Sequence, residues 1–280
     1  MIETKNLTKK FDSFTAVDSL DLRIETGEFF GLLGPNGAGK TTTISLLSTL
    51  LLPTEGEILI DGQTLGRNRP ELKRKISVIT QEYSMRQDMN MDEIMEYQGR
   101  LYFMPRKEIK QKTEELLDFC GLLPFRKRTV RKLSGGMKRK LMVCRALLTS
   151  PEILLLDEPT AGMDALSRRQ MWNLLRQLNG KNLTILLTTH YMEEAQSLCN
   201  RVALMDHGKL EEINTPSGLI DSLGKYTVDQ ETPEGAKSHY FHSREEAISF
   251  LSSLDGQCTL RETTLEDVFV ERAGRHLMQR

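Results

Sequence analysis

The sequence is poor in cysteine, with four residues among 280. No CxxC pair and no zinc-ligand spacing occurs among Cys120, Cys144, Cys199 and Cys258. A disulfide framework and a cysteine metal site are therefore not expected, and a reducing cytosol fits this cysteine usage best.

Long hydrophobic runs and an excess of one charge are also missing. The longest apolar runs, such as residues 153–156, fall far short of the ~20 residues that span a bilayer, and residues 1–5 show no apolar leader. A membrane role would therefore come through a partner subunit. Because 38 Lys and Arg oppose 39 Asp and Glu, no global field favours nucleic acid, and no such partner is expected.

The periodic segments predict an α/β protein. Alternating apolar and polar positions over residues 1–30 predict half-buried antiparallel strands. Short apolar strands are predicted at residues 29–33, 58–60, 76–79, 153–156 and 184–187. Helices are predicted from Lys40 toward Pro53, from Ser134 and from Ser167. Strands that alternate with helices imply a mostly parallel sheet with crossover helices.

Two regions depart from this pattern. Residues 82–132 show helical periodicity, with helices predicted at 93–103 and 108–119, and read as an insertion in the core. Beyond about residue 215 a small appendage is predicted, a β-β-α-β-α module. Its strands lie near residues 226–228, 239–241 and 258–260, and its helices follow capping boxes at Ser243–Glu246 and Thr263–Glu266.

A glycine-rich loop joins the strand at 29–33 to the first helix. Residues 34–41 match the phosphate-loop pattern GxxxxGK[ST], in which glycines let backbone amides face phosphate oxygens. Lys40 is expected to reach the terminal phosphates, and the hydroxyl of Thr41 is expected to ligate Mg²⁺. A chance Gly/Lys turn is the weaker interpretation, because the loop lies between an apolar strand and a helix.

Two further segments carry chemistry. The apolar strand at 153–156 ends in Asp157, expected to hold magnesium through water, and Glu158, expected to deprotonate the attacking water. A second glycine-rich segment, residues 133–137, opens a helix and reads as another anion site. By themselves these segments would read as an acidic turn and as a simple serine N-cap.

Taken in order, the motifs resemble those of the ATP-binding subunit of an ABC transporter over about residues 1–225. The matching segments are Gly34 to Thr42 (Walker A), Gln81 (Q-loop), Leu133 to Met137 (signature), Ile153 to Glu158 (Walker B), Ala161 to Asp164 (D-loop) and His190 (switch histidine). Phe11 stands where the family usually has a tyrosine that stacks on adenine, and both a base contact and a core position remain open for it.

The resemblance implies a P-loop NTPase fold of the ABC type. Such a fold has a RecA-like mixed-sheet core, an N-terminal antiparallel β subdomain and a helical subdomain, here at about residues 82–145. The implied domains are an ATP-binding domain at 1–220 and a small α+β accessory domain at 221–280. Regulation and dimer reinforcement are both open roles for the accessory domain.

The resemblance also implies a site. Catalytic roles fall on Glu158, His190, Lys40 and Gln81, and magnesium ligation on Thr41, Gln81 and Asp157. The residues expected to contact ATP are Phe11, Gly34, Pro35, Asn36, Gly37, Ala38, Gly39, Lys40, Thr41, Thr42, Ser134, Gly135, Gly136 and Asp164. Each ATP would lie between the Walker A loop of one subunit and the signature of a second copy.

Residues 133–140 and the tail 264–275 resemble the drug-resistance and sodium-extrusion exporter group, which pairs with a separate type-2 permease. The expected function is therefore the ATP-hydrolysing subunit of an exporter of a drug, lipid or ion. It would lie at the cytoplasmic face of the membrane, held by an integral membrane permease. A soluble ABC ATPase acting on nucleic acid or ribosomes is the alternative, and a nucleotide kinase explains neither the signature nor His190.

A methionine cluster follows Gln81, in the region where the family receives its permease. Three roles are open for it: permease contact, core packing and, least favoured, a thioether metal site. Its members are Met85, Met89, Met91 and Met95.

Overall fold

The first strands pair as their alternating pattern predicts. In the computed structural model, which describes residues 1–82, 85–232, 235–254 and 256–278, β1 (Ile2–Phe11) and β2 (Phe14–Ile24) form an antiparallel pair. A four-stranded sheet results when β4 (Glu55–Ile60) and β5 (Gln63–Thr64) join them, in the order β2-β1-β4-β5.

The second sheet has six strands. These are β3 (Phe29–Leu33), β6 (Ile76–Ile79), β7 (Ile153–Asp157), β8 (Thr184–Thr189), β9 (Arg201–Asp206) and β10 (Lys209–Asn214), in the order β10-β9-β3-β8-β7-β6. The pairs β3/β8, β8/β7 and β7/β6 are parallel. Every residue of β3, β7 and β8 is buried, as expected for strands covered on both faces. The predicted parallel sheet is confirmed.

Five helices come directly before or after strands of this sheet along the chain. They are α1 (Lys40–Leu47), α2 (Pro70–Arg74), α6 (Ala165–Asn179), α7 (Met192–Leu198) and α8 (Pro216–Leu223). The predicted extension of α1 toward Pro53 is wrong. Thr49 adopts a left-handed φ of 61°, and the amide of Leu51 donates to the carbonyl of Ser45 at 3.0 Å, which turns the chain away.

Three helices form the predicted helical region, α3 (Met91–Leu101), α4 (Arg106–Phe119) and α5 (Gly135–Leu147), with short 3-10 turns at Leu123–Phe125 and Val130–Lys132. The structure starts α3 two residues before the predicted Glu93, because Asn90 and Glu93 form a capping box. Met85, Met91 and Met95 are buried, so they pack within the chain, and Met89 is partly exposed. No helix of the described residues is long and apolar enough to cross a bilayer.

The chain divides into two compact units, residues 1–190 with 203–212, and residues 191–202 with 213–280. The predicted division into domains 1–220 and 221–280 stays a prediction. In the second unit the order β11 (Tyr226–Thr232), β12 (Gly235–Phe241), α9 (Arg244–Ser252), β13 (Cys258–Glu262), α10 (Leu265–Met278) matches the predicted β-β-α-β-α module. Its antiparallel sheet has the order β12-β11-β13.

One of the two predicted caps is displaced by a residue. Ser243 caps α9, accepting from the amide of Glu246 at 3.2 Å, as predicted. At α10 the reciprocal pair is instead formed by Thr264 and Asp267, at 2.8 and 3.4 Å. Thr263 is buried, and its hydroxyl pairs with that of Thr227 at 2.8 Å.

An ion-pair network ties α10 to the small sheet. The guanidinium of Arg261 contacts Asp229 at 2.6 Å and Asp267 at 2.7 Å. Burial raises the pKa of Asp267, but hydrogen bonds from Arg261 and Thr264 outweigh it and leave that pKa below its ordinary value. The Asp267 carboxylate therefore stays ionised at neutral pH and, through its contacts with Thr264, keeps the helix start fixed.

Candidate functional site

The loop between β3 and α1 closes around the side chain of Lys40. Its Nζ donates to the carbonyl oxygens of Gly34 and Pro35, each at 2.9 Å. Gly39 has a φ of +105°, and a Cβ there would overlap the carbonyl oxygen of Ala16. The loop backbone is thus packed against β2, with no room for a larger residue at this position.

Lys40 lies in a field set by two carboxylates. Burial lowers the pKa of its ammonium, while the charges of Glu158 and Asp157 act in the opposite direction. A phosphate near Nζ would add a further opposite charge and favour the protonated form. The geometry suits a cation that neutralises a bound anion.

Two hydroxyl groups converge on Asp157 at the end of β7. Thr41 Oγ1 donates to Oδ1 at 3.1 Å, and Thr188 Oγ1 donates to the same oxygen at 2.6 Å. Thr188 is the residue opposite Asp157 in the parallel pairing of β7 with β8. The predicted magnesium ligands Thr41 and Asp157 are therefore together, and carboxylate and hydroxyl oxygens are ligands that magnesium accepts. Thr188 was not predicted.

Glu158 is held in a strained backbone conformation. Its φ is 46°, in the left-handed region that non-glycine residues rarely adopt. Its amide donates to the carbonyl and hydroxyl oxygens of Thr188 at 3.1 and 3.2 Å. Its Oε1 lies 3.1 Å from Nδ1 of His190. The structure therefore brings together the predicted base and the predicted switch histidine.

Gln81 joins this group through its backbone. Its carbonyl accepts from Nη2 of Arg139 at 3.1 Å, whereas its side chain is exposed. Arg139 was not predicted, although it lies on α5 directly after the signature. The side-chain role expected of Gln81, contact with magnesium and water, stays a prediction.

The signature and D-loop residues form a second cluster. Ser134 and Gly135 are exposed at the start of α5, where Ser134 Oγ accepts from the amide of Met137 at 3.3 Å. Asp164 caps α6, accepting from the amide and hydroxyl of Ser167 at 2.8 and 2.6 Å. A Cβ on Gly136 would lie 3.2 Å from Ser167 Oγ, so the two helix starts are adjacent.

Phe11 lies at the surface. The residue is 42% exposed, and Nζ of Lys9 lies 5.0 Å from the ring centroid. The interpretation of Phe11 as a core residue is therefore wrong. Its contact with the adenine base stays a prediction.

Residues 17–161 match the family model described as ABC transporter. That span contains both glycine-rich segments, Gln81 and the carboxylates that end β7. The chain belongs to the ABC transporter family. The predicted family is confirmed, and with it the binding and hydrolysis of ATP that its ATPase cassettes carry out.

Several characterised ABC proteins are similar along most of their length. The Nod factor export ATP-binding protein I of Cupriavidus metallidurans is 34% identical, over 99% of this chain and 98% of its own. The linearmycin resistance ATP-binding protein LnrL of Bacillus subtilis is 37% identical, over 84% and 76%. The daunorubicin/doxorubicin resistance ATP-binding protein DrrA of Streptomyces peucetius is 38% identical, over 90% and 74%. Such relatives favour the predicted exporter ATPase over a soluble ABC ATPase acting on nucleic acid or ribosomes.

Solved ABC cassettes have the same fold. The dimeric structure of the bacterial ABC transporter cassette MJ0796 is 28% identical with a TM-score of 0.69, covering 77% of this chain and 98% of its own. A dimeric post-hydrolysis state of that cassette, bound to ADP and Pi, matches equally well. The predicted ABC-type P-loop fold is confirmed.

We predict that Thr188→Val lowers kcat for ATP hydrolysis by about 10- to 100-fold, because small displacements of catalytic groups have costs of that order. Valine keeps the shape of threonine but removes the hydroxyl that binds Asp157 and the amide of Glu158. The measurement is steady-state phosphate release by the purified chain.

Thr184→Val is the matched control. Thr184 is buried on the same strand, and its hydroxyl accepts from the amide of Gly27 at 2.9 Å, away from the carboxylates. Both variants should lose about 1–3 kcal/mol of unfolding free energy. Equal kcat values in the two variants would contradict the assignment of Thr188 to the site.

Proposed function

We propose that two copies of the chain sandwich two ATP molecules, and that this ATPase dimer drives export through a membrane permease. The observation that carries the proposal is that two glycine-rich segments, each suited to an anion, lie in separate clusters. Lys40 and the carboxylates form one, and Ser134 with Gly135 forms the other, exposed at a helix N-terminus. An exposed signature is available to complete the site of a second copy.

Within each site the described contacts fit distinct roles. Lys40 would neutralise the terminal phosphates, and Thr41, Asp157 and Gln81 would hold magnesium, which supplies further charge neutralisation on the phosphates. Glu158 Oε would take the proton from the attacking water. His190 orients that carboxylate through its 3.1 Å contact. Phe11 would stack on adenine, since its ring is exposed.

A patch at the end of α3 supports contact with a permease. Four large apolar side chains are exposed there, which we name the α3 patch: Tyr97, Leu101, Tyr102 and Phe103. Phe103 is 89% exposed, and clusters of this kind mark interaction surfaces. We propose that the permease covers the α3 patch and so holds the chain at the cytoplasmic face of the membrane.

The cargo is proposed from the relatives. Because two of them are named for resistance to linearmycin or to daunorubicin and doxorubicin, a drug is favoured as the cargo, with a lipid or an ion as the remaining classes. The accessory domain is proposed to be a shared feature of these exporter ATPases, since the match to the Nod factor relative extends over 99% of the chain.

Glu158→Gln should bind ATP normally yet hydrolyse it at least about 100-fold more slowly, because the general base is lost. ATP that is bound but not hydrolysed should then hold the two copies together. Light scattering after gel filtration with MgATP would show the dimer. Glu152→Gln, at the exposed opposite end of β7, should remain wild type in both assays. A wild-type turnover rate in Glu158→Gln would overturn the assignment of the base.

Half-sites should complement each other. Lys40→Ala removes the phosphate-binding ammonium, and Gly135→Asp places a negative charge at the signature. Neither variant should hydrolyse ATP, but a mixture should, because one site of the mixed dimer pairs an intact Walker A loop with an intact signature. Full activity of Gly135→Asp, or a mixture as inactive as both parents, would contradict the sandwich.

Leu101→Glu should release the chain from membranes of the cells that naturally make it, because a buried carboxylate would have no partner in an apolar contact. ATP hydrolysis by the isolated chain should stay unchanged. Lys110→Glu, exposed on α4, is the control and should sediment with membranes like wild type. Retention of Leu101→Glu on membranes to the wild-type extent would argue against the α3 patch as the contact.

A further inference from the structure

A buried cation connects parts of the site that come from three segments of the chain. Arg139 is 1% exposed and lies on α5, five residues after Ser134. Its Nη1 donates to the carbonyl of Thr80 at 2.8 Å. Its Nη2 donates to the carbonyls of Gln81 at 3.1 Å and Glu158 at 3.4 Å. One guanidinium thus spans the signature helix, the start of the Q-loop and the end of the Walker B strand.

The geometry of these contacts suits arginine. A guanidinium presents five N–H donors in a rigid planar fork, so two of its nitrogens can serve carbonyls on separate loops at once. A lysine ammonium at the same place is a single donor atom, which cannot match that spread. Because the acceptors are carbonyls, Arg139 fixes the backbone of the two loops directly.

Glu158, whose carbonyl accepts from Arg139, has a strained backbone. With a φ of 46°, its backbone persists only where its surroundings hold it. Thr188 holds the amide side, His190 holds the carboxylate, and Arg139 holds the carbonyl side. Removal of the guanidinium frees the peptide that follows Glu158 and lets the carboxylate move.

We propose that Arg139 is a positioning residue that couples the orientation of the signature helix to the placement of the Glu158 carboxylate and the Q-loop. On the proposed function, on which this inference rests, Ser134 at the start of α5 contacts the nucleotide of the second copy. A rotation of α5 on that contact moves Arg139 and with it the backbone of Gln81 and Glu158. Hydrolysis is thereby tied to engagement of the partner.

The first test separates rate from affinity. Arg139→Met should lower kcat about 10- to 100-fold while leaving the KM for ATP within about threefold, because the contact acts on chemistry rather than on nucleotide binding. Arg139→Lys keeps the charge and should recover part of the rate. Arg126→Met is the matched control, since Arg126 pairs with Asp92 at 2.7 Å in the helical region. It should lower the melting temperature and leave kcat unchanged.

The second test is a double-mutant cycle measured in single turnovers. If Arg139 acts through Glu158, adding Arg139→Met to Glu158→Gln should slow hydrolysis less than about twofold, whereas independent sites would add their effects. Adding Arg126→Met should leave the rate of Glu158→Gln unchanged. Full additivity of Arg139→Met with Glu158→Gln would overturn the coupling.

The outcomes also separate this inference from the proposed function. Wild-type turnover in Glu158→Gln would defeat the assignment of the base and the inference together. A normal kcat in folded Arg139→Met would defeat the inference alone. If Arg139→Met does not fold, Arg139→Lys decides: a reduced kcat at unchanged KM supports the coupling, and a wild-type kcat overturns it.

Discussion

The register of three parallel strands fixes the positions of the reacting groups. β7, β8 and β3 lie side by side, with Asp157 opposite Thr188 and Leu33 opposite Thr189. The phosphate loop, Glu158 and His190 each begin where one of these strands ends, so pairing alone brings them to one edge. A slip of one residue would turn the Thr188 hydroxyl to the other face of the sheet. Such a slip would break the contacts of the Thr188 hydroxyl with Asp157 and with the amide of Glu158.

Segments with a strong local pattern were predictable. The apolar strands and the phosphate loop are each specified by a few neighbouring residues, and the structure has them where the pattern places them. Helix starts were less accurate: α3 and α6 each begin two residues before the predicted position. Each start is set by a polar cap, Asn90 or Asp164, which lies outside the periodic pattern from which the helices were predicted. The cap of α10 shifted because two adjacent threonines both fit the pattern and only burial distinguishes Thr263 from Thr264.

Residues of the site were predictable where a motif names them. Lys40, Thr41, Asp157 and Glu158 stand in fixed spacing, and the structure connects them by hydrogen bonds or charge. Thr188 and Arg139 could not be predicted from the sequence, because each contacts residues that are far from it along the chain. Thr188 reads as one more β-branched strand residue. Arg139 sits in the run Lys138 to Lys140 and looks like part of a solvated basic helix face, whereas the fold buries it.

The loop acceptors of Arg139 at residues 80, 81 and 158 are main-chain carbonyl oxygens, and every amino acid carries one. Substitutions at residues 80, 81 and 158 therefore leave the acceptors in place, provided the backbone path is kept. Only residue 139 is therefore constrained in its side chain by this connection. Covariation between pairs of positions would not reveal the connection. Anyone grafting the site onto another cassette would need to transfer a single side chain, together with two loops of the right backbone shape.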